Sequence, residues 1–148
     1  MQTFLPYPSF RESAAVLDRA RLGKQRVEAL QVLRAITVPD YGWRNHPAAK
    51  MWRGYVPALV KYSLVMTDAW LARGFADAVR PQVLEFAPEV DSLPLHTLDL
   101  PPWIGDPELH RSHQSNLVRK DRVFYEPLFP GVPDDLPYVW PPESSPTP

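Results

Sequence analysis

The sequence contains no cysteine. Disulfide staples, thiolate nucleophiles and zinc sites built on Cys are therefore excluded. It has no apolar run near the roughly 18 residues that a membrane-spanning helix needs, so no membrane partner is expected. The opening residues, Met1 to Phe10, carry no basic stretch followed by an apolar one. No secretory leader is expected from that pattern, and the cytoplasm is the expected location. Nothing alternates at a period of two for long, which argues against strands. No repeat recurs at solenoid periods.

What the sequence has in excess is proline, 19 residues in 148, against a usual content of roughly 5%. Proline interrupts both helices and strands, so many short segments are expected. The length suits one domain with a real core. The expected fold is all-α. It is a compact single-domain helical bundle over residues 1–140, with long Pro-rich irregular segments. A Pro/Ser-rich tail, 141–148, is expected to be disordered. The net charge of −1 hides an asymmetry. Met1 to Arg80 holds 12 Lys+Arg against 6 Asp+Glu, a balance of +6, and Pro81 to Pro148 holds 4 against 11, a balance of −7. A basic half can hold a polyanion even in a nearly neutral chain. Solvated surface charge would give the same count.

Local signals place the elements. Thr3-Phe4-Leu5-Pro6-Tyr7-Pro8 is apolar, and each proline pushes its predecessor away from the helical region. This segment reads as extended and packed, which would fix the chain's start. Ser9 and Glu12 form a capping box for a helix from Phe10 to Leu17. Asp18 can cap a helix from Arg19 to Ile36, followed by a loop, Val38 to His46. Pro47 suits the first turn of a long helix to about Arg73, with Gly74 as its stop and a kink near Arg53–Tyr55 imposed by Pro57. A helix from Ala76 to Phe86 is interrupted by Pro81, and Ala87 to Gly105 reads as irregular. Asp106 begins a helix from Pro107 to Arg119, and Asp121 caps a short one to Tyr125. Pro127 to Trp140 is expected to wrap the surface.

Three clusters carry polar chemistry. On the Arg19–Ile36 helix, Arg21, Lys24, Glu28 and Gln31 fall on one stripe, with Leu22, Ala29, Leu30 and Leu33 opposite. Lys24 and Glu28 are either a helix ion pair or a carboxylate held in a cationic cleft. Arg26 falls between Leu22 and Leu30 on the apolar side, so it must be paired or must reach out to a phosphate. The second cluster, Gly42-Trp43-Arg44-Asn45-His46-Pro47, ends at a helix N-terminus that favours an anion. Lys50 and Arg53 follow on the first turns, and the set suits a phosphate and a base. The third runs from Leu109 to Lys120. There His110, His113 and Asn116 are spaced one turn apart, and Arg119 and Lys120 close the helix. A His-x-x-His pair can ligate a metal, but no third ligand follows at a diagnostic spacing, and no metal is expected. These residues are expected to be hydrogen-bond donors in a cleft or a satisfied polar helix.

Four segments carry a resemblance. They are Arg21-Leu22-Gly23-Lys24-Gln25-Arg26-Val27-Glu28, Trp43-Arg44-Asn45-His46-Pro47, the helix from Lys50-Met51-Trp52 to Arg73-Gly74-Phe75, and His110-Arg111-Ser112-His113-Gln114-Ser115-Asn116-Leu117 with Arg119-Lys120. Over nearly the whole chain the sequence resembles a bacterial family grouped with the pyrimidine-dimer DNA glycosylases of the phage endonuclease V type. The likeness to the phage enzyme itself is confined to the chain's start, the Glu28 helix and the helix ending at Gly74-Phe75. The resemblance implies a compact, all-α, cofactor-free DNA-repair glycosylase with AP-lyase activity. Its implied nucleophile is the N-terminal α-amine, matched by Met1, which attacks the deoxyribose C1′ and forms an imine. Its implied essential carboxylate is matched by Glu28. An α-amine titrates near roughly 7.7–8.0, so a useful fraction is neutral at cellular pH. In the phage enzyme a small residue is exposed by methionine removal, whereas Gln2 leaves Met1 in place here.

The partner implied is double-stranded DNA, with no obligate protein partner. The expected DNA contacts are Arg21, Lys24, Arg26, Trp43, Arg44, Asn45, His46, Lys50, Arg53, His110, His113, Asn116, Arg119 and Lys120. The target nucleotide must leave the stack to be reached. Trp43, Asn45, His46, His113 and Asn116 are the candidates to receive it. Two other readings share these residues: a nucleic-acid-binding protein without catalysis, and a hydrolase centred on His46, His110 and His113.

Overall fold

Among residues 1–143, which the computed structural model describes, there are seven α-helices, two short 3₁₀ turns and no strand. Ser9 starts α1, Phe10–Val16, by accepting the Glu12 N–H at 3.1 Å. Helix α2 spans Arg19–Thr37. Asp18 stands at its N-cap position without making a side-chain cap bond. Its carboxylate instead accepts from the Tyr125 hydroxyl and from Arg21. The expected long helix over 47–73 is two helices, α3, Pro47–Trp52, and α4, Val56–Ala72. Gly54 sits between them at φ +90°, and Pro57 lies in the first turn of α4. A left-handed glycine followed by a proline that fits only a first turn gives a full break instead of a kink. Pro81 acts the same way. It opens a short α5, Arg80–Leu84, in place of a helix over 76–86. Helix α6 spans Pro107–Lys120 and is capped by Asp106, which accepts from the Glu108 N–H at 3.0 Å. Helix α7 is Arg122–Tyr125.

Helix α4 is the centre of the bundle, packed against α1, α2 and α5. Leu59, Val60, Tyr62, Leu64 and Met66 are all buried along it. Where α2 meets α4, a Cβ added at Gly23 would lie 3.1 Å from the Trp70 ring, so the absent side chain permits the close approach. Trp52 packs edge-on to Phe10 and Trp103 and tilted against Tyr62. No helix among the described residues is long and apolar enough to cross a membrane.

Two irregular segments complete the interior, and both are held by side chains. Residues 2–6 are buried and belong to no helix or strand. Without a helix or a neighbouring strand, their backbone groups need side-chain partners. Gln25 accepts the Phe4 N–H at 2.7 Å, and the Tyr62 hydroxyl donates to the Phe4 carbonyl at 2.9 Å. His113 Nδ1 accepts the Leu5 N–H at 2.9 Å, His110 Nδ1 bonds the Leu5 carbonyl at 2.7 Å, and Gln114 donates to the Pro6 carbonyl at 2.8 Å. The Trp52 indole donates to Thr3 Oγ1 at 2.9 Å. On the other side of α6, Ser115 and Ser112 accept the Leu136 and Val139 N–H groups at 3.0 and 3.1 Å. The chain after Pro127 thus wraps α6 as a strap. Of the 141–148 tail, residues 144–148 lie outside the described residues, while Glu143 pairs with Arg53 at 3.0 Å.

Candidate active site

The extended start of the chain runs beside α2, and the two meet at a cavity of about 200 Å³. Met1, Gln2 and Phe4 line it from the segment, and Arg21, Lys24, Gln25 and Glu28 line it from α2. Lys120, at the end of α6, and Tyr138, on the strap, complete the wall. The helical period explains the α2 set, because residues three, four and seven apart share a face. A wider, open groove of about 910 Å³ shares Lys24 and Glu28 with the cavity. Its other walls include Gly23, Val27, Trp70 and Phe124.

Burial raises the Glu28 carboxyl above its ordinary range. The terminal ammonium, Lys24, Lys120 and the Gln2 N–H pull it back. The amine and the carboxylate therefore feel each other's charge. The same terminal charge adds to burial in lowering His46, so the amine lies within electrostatic reach of both groups. Gln25 Nε2 donates to Glu28 Oε2 at 2.9 Å and to the Gln2 carbonyl at 3.0 Å. Tyr138 is pushed up to about 12 by burial, with Glu28 adding to the effect and Arg119 opposing it. Its hydroxyl stays protonated at neutral pH and is a donor.

The residues singled out in the sequence fall into three groups. Met1, Glu28, Arg21, Lys24 and Lys120 come together on the cavity. Trp43, Arg44, Asn45 and Lys50 are exposed on the loop before α3 and on α3 itself. His46 caps α3 by accepting the Ala48 N–H at 3.0 Å and packs edge-on to Trp43 and Trp140. Arg53 is held by Glu143 and by the Arg44 carbonyl, and Arg119 is exposed beside the Asp134 carbonyl.

The third group corrects the sequence reading. Arg26 pairs with the buried Asp77 and lies over the Trp70 ring, 4.4 Å from its centroid. Its charge is spent inside the protein. His110, His113 and Asn116 are buried and do not line the cavity, so they cannot contact DNA in this fold. His110 uses both ring nitrogens, Nδ1 on Leu5 and Nε2 to accept the Gly105 N–H at 2.9 Å. His113 is lowered to about 3 by burial, with His110 adding to it. Asn116 donates to the Ser112 and Leu136 carbonyls at 2.7 and 3.1 Å. A hydrolase centred on His46, His110 and His113 loses its basis, because two of the three are structural and sealed.

The sequence patterns do not single out Gln2, Gln25 or Tyr138, although all three line the cavity. Gln25 lies three residues before Glu28 and so shares its helical face, which is a signal that could have found it. Gln2 and Tyr138 reach the site only through the threading of the two irregular segments, which no local pattern encodes.

Searches of the curated proteins and of the solved structures return no match. The model of the pyrimidine dimer DNA glycosylase family matches residues 1–80, more than half of the chain. That span holds the start of the chain and all of α2, which together supply seven of the nine residues lining the cavity. The chain belongs to the pyrimidine dimer DNA glycosylase family.

Proposed function

We propose that the protein is a DNA-repair glycosylase with AP-lyase activity that acts on damaged duplex DNA through an imine at Met1. The observation carrying this reading is the one cavity lined by both Met1 and Glu28, with the terminal charge acting on the Glu28 carboxyl and Arg21, Lys24 and Lys120 flanking it. In its neutral form the α-amine attacks the deoxyribose C1′. A C1′–N bond forms and the glycosidic bond breaks, its electron pair leaving with the base, which takes up a proton. The Glu28 carboxylate stabilises the positive charge that develops on the sugar. Opening of the sugar ring, with a proton delivered to O4′, gives the imine. Removal of a C2′ proton by Glu28 then expels the 3′ phosphate, which is the lyase step. No cofactor enters the scheme, and a cytoplasmic location goes with it.

The cations at the cavity suit the phosphates flanking an extruded nucleotide. Trp43 is 49% exposed, and with Arg44, Asn45 and Lys50 it offers a second contact surface for the duplex. The test is reductive trapping. The protein is incubated with abasic or ultraviolet-damaged duplex and reduced with borohydride. A covalent adduct that disappears when the N-terminus is acetylated is expected. Tight binding with neither adduct nor strand cleavage would overturn the reading in favour of a non-catalytic binder.

A further inference from the structure

Gln25 is 1% exposed and bonds both Glu28 and the residue that follows Met1. All four of its hydrogen-bonding positions are filled. Oε1 accepts from the Phe4 N–H at 2.7 Å and from the Tyr62 hydroxyl at 2.6 Å. Nε2 donates to the Gln2 carbonyl at 3.0 Å and to Glu28 Oε2 at 2.9 Å. A carboxamide has two N–H groups and two lone pairs on its oxygen, so this one is saturated. Its orientation is also fixed. Rotation by half a turn would set its NH₂ against the Phe4 N–H and its oxygen against a carboxylate and a carbonyl.

We propose that Gln25 is a positioning residue that sets the spacing between the chain's α-amine and the Glu28 carboxylate. The proposal rests on the roles given above to Met1 and Glu28. Gln2 follows Met1 directly, so with the Gln2 carbonyl held, only the backbone bonds of Gln2 and Met1 separate the amine from a fixed anchor. Glu28 is a long side chain in a half-buried place, and the Gln25 amide holds its Oε2 while the Gln2 N–H also acts on the carboxylate. Tyr62, fully buried on α4, braces the amide from behind and shares its single proton between Gln25 and the Phe4 carbonyl. Three elements thus meet at one amide. Glutamate at this position would keep the shape while turning an acceptor toward the Glu28 carboxylate. Leucine would leave the Phe4 N–H and the Gln2 carbonyl buried without their partner.

Two readouts test this. The first needs no activity. The Glu28 side-chain carboxyl is titrated by ¹³C NMR before and after acetylation of the N-terminus. In the native protein acetylation removes a nearby positive charge, so the Glu28 midpoint rises. In Gln25→Leu the rise is expected to fall to half or less. The second readout is turnover on damaged duplex. Gln25→Leu and Gln25→Glu are expected to lower kcat at least tenfold while duplex affinity stays within twofold. Gln25→Glu is also expected to move the acid limb of the pH profile upward. If Gln25→Leu does not fold, Gln25→Glu and Tyr62→Phe carry both measurements, with a smaller loss of the same sign in Tyr62→Phe. A folded variant with a native acetylation shift and native kcat overturns the role of Gln25. If the native protein forms no adduct, the catalytic reading fails, and the carboxyl titration still decides whether Gln25 holds the amine to the carboxylate.

Discussion

Two charged residues on α2, Glu28 and Arg26, follow opposite rules. Glu28 is a carboxylate in a place that disfavours its charge, since burial raises it above its usual range. In the folded state it gives up its proton later than in the unfolded chain, so stability declines as pH rises between the two midpoints. Glu28→Gln removes that penalty. The variant is expected to match or exceed the native melting temperature at pH 7 while losing turnover at least about 100-fold. Calorimetry and single-turnover kinetics on the same sample check both halves. Arg26 is the reverse case. Asp77, its partner, has a side chain only 1% exposed. Arg26→Ala would leave that carboxylate only the Arg80 N–H, at 2.8 Å, and is expected to cost about 3 kcal/mol, read by urea denaturation. Duplex affinity is expected to stay unchanged, because the guanidinium is spent on Asp77 and Trp70.

At the scale of elements, the clamp between the opening segment and α6 has a pH signature. His113 is lowered to about 3 and His110 is lowered by burial. Below roughly pH 6.5 the unfolded chain binds protons at both positions that the folded chain refuses, down to about pH 3 at His113. Stability is therefore full above that window and falls as the pH drops through it. Urea midpoints at pH 7.5, 6 and 5 are expected to fall in that order, with a shallower fall in His113→Gln. This clamp also explains what the sequence hides. The starts of α1 and α6 are legible because Ser9 and Asp106 cap them locally. The buried face of α6 is not. Reading a helix by its apolar stripe assumes that apolar residues face inward. Here Ser112, His113, Ser115 and Asn116 face inward, because what covers them is bare backbone needing partners. Such a face looks like a solvated surface or a binding cleft until its distant partners are known. The α2 stripe is legible because its cavity residues recur at the helical period, and Arg21, Lys24 and Glu28 do line one wall.

For the whole molecule, the charge count along the chain overstates the basic surface. Arg53 is paired with Glu143, and Arg80 with Asp68 and Asp91, so the acidic half and local acids neutralise part of the basic half. Among the described residues Lys24, Arg44, Lys50 and Lys120 are in no ion pair. Lys24→Ala and Lys50→Ala are each expected to weaken duplex binding across sequences. Each should flatten the plot of log affinity against log salt by about 0.9 for every phosphate left without its cation. Arg122→Ala, which lines neither the cavity nor the groove and is already paired with Glu126 and Asp134, is expected to leave that slope alone. Fluorescence anisotropy over a salt series measures all three. The threading of the chain's start has one more consequence, in time. Leu5 is synthesised 108 residues before the imidazole that receives its N–H. The opening segment must wait through that whole span for its seat. Lys120 and Tyr138, which finish the cavity, are made later still. A nascent chain holds its amine and carboxylate long before it has the walls to bring them together, so the site is assembled only after Tyr138 has been added.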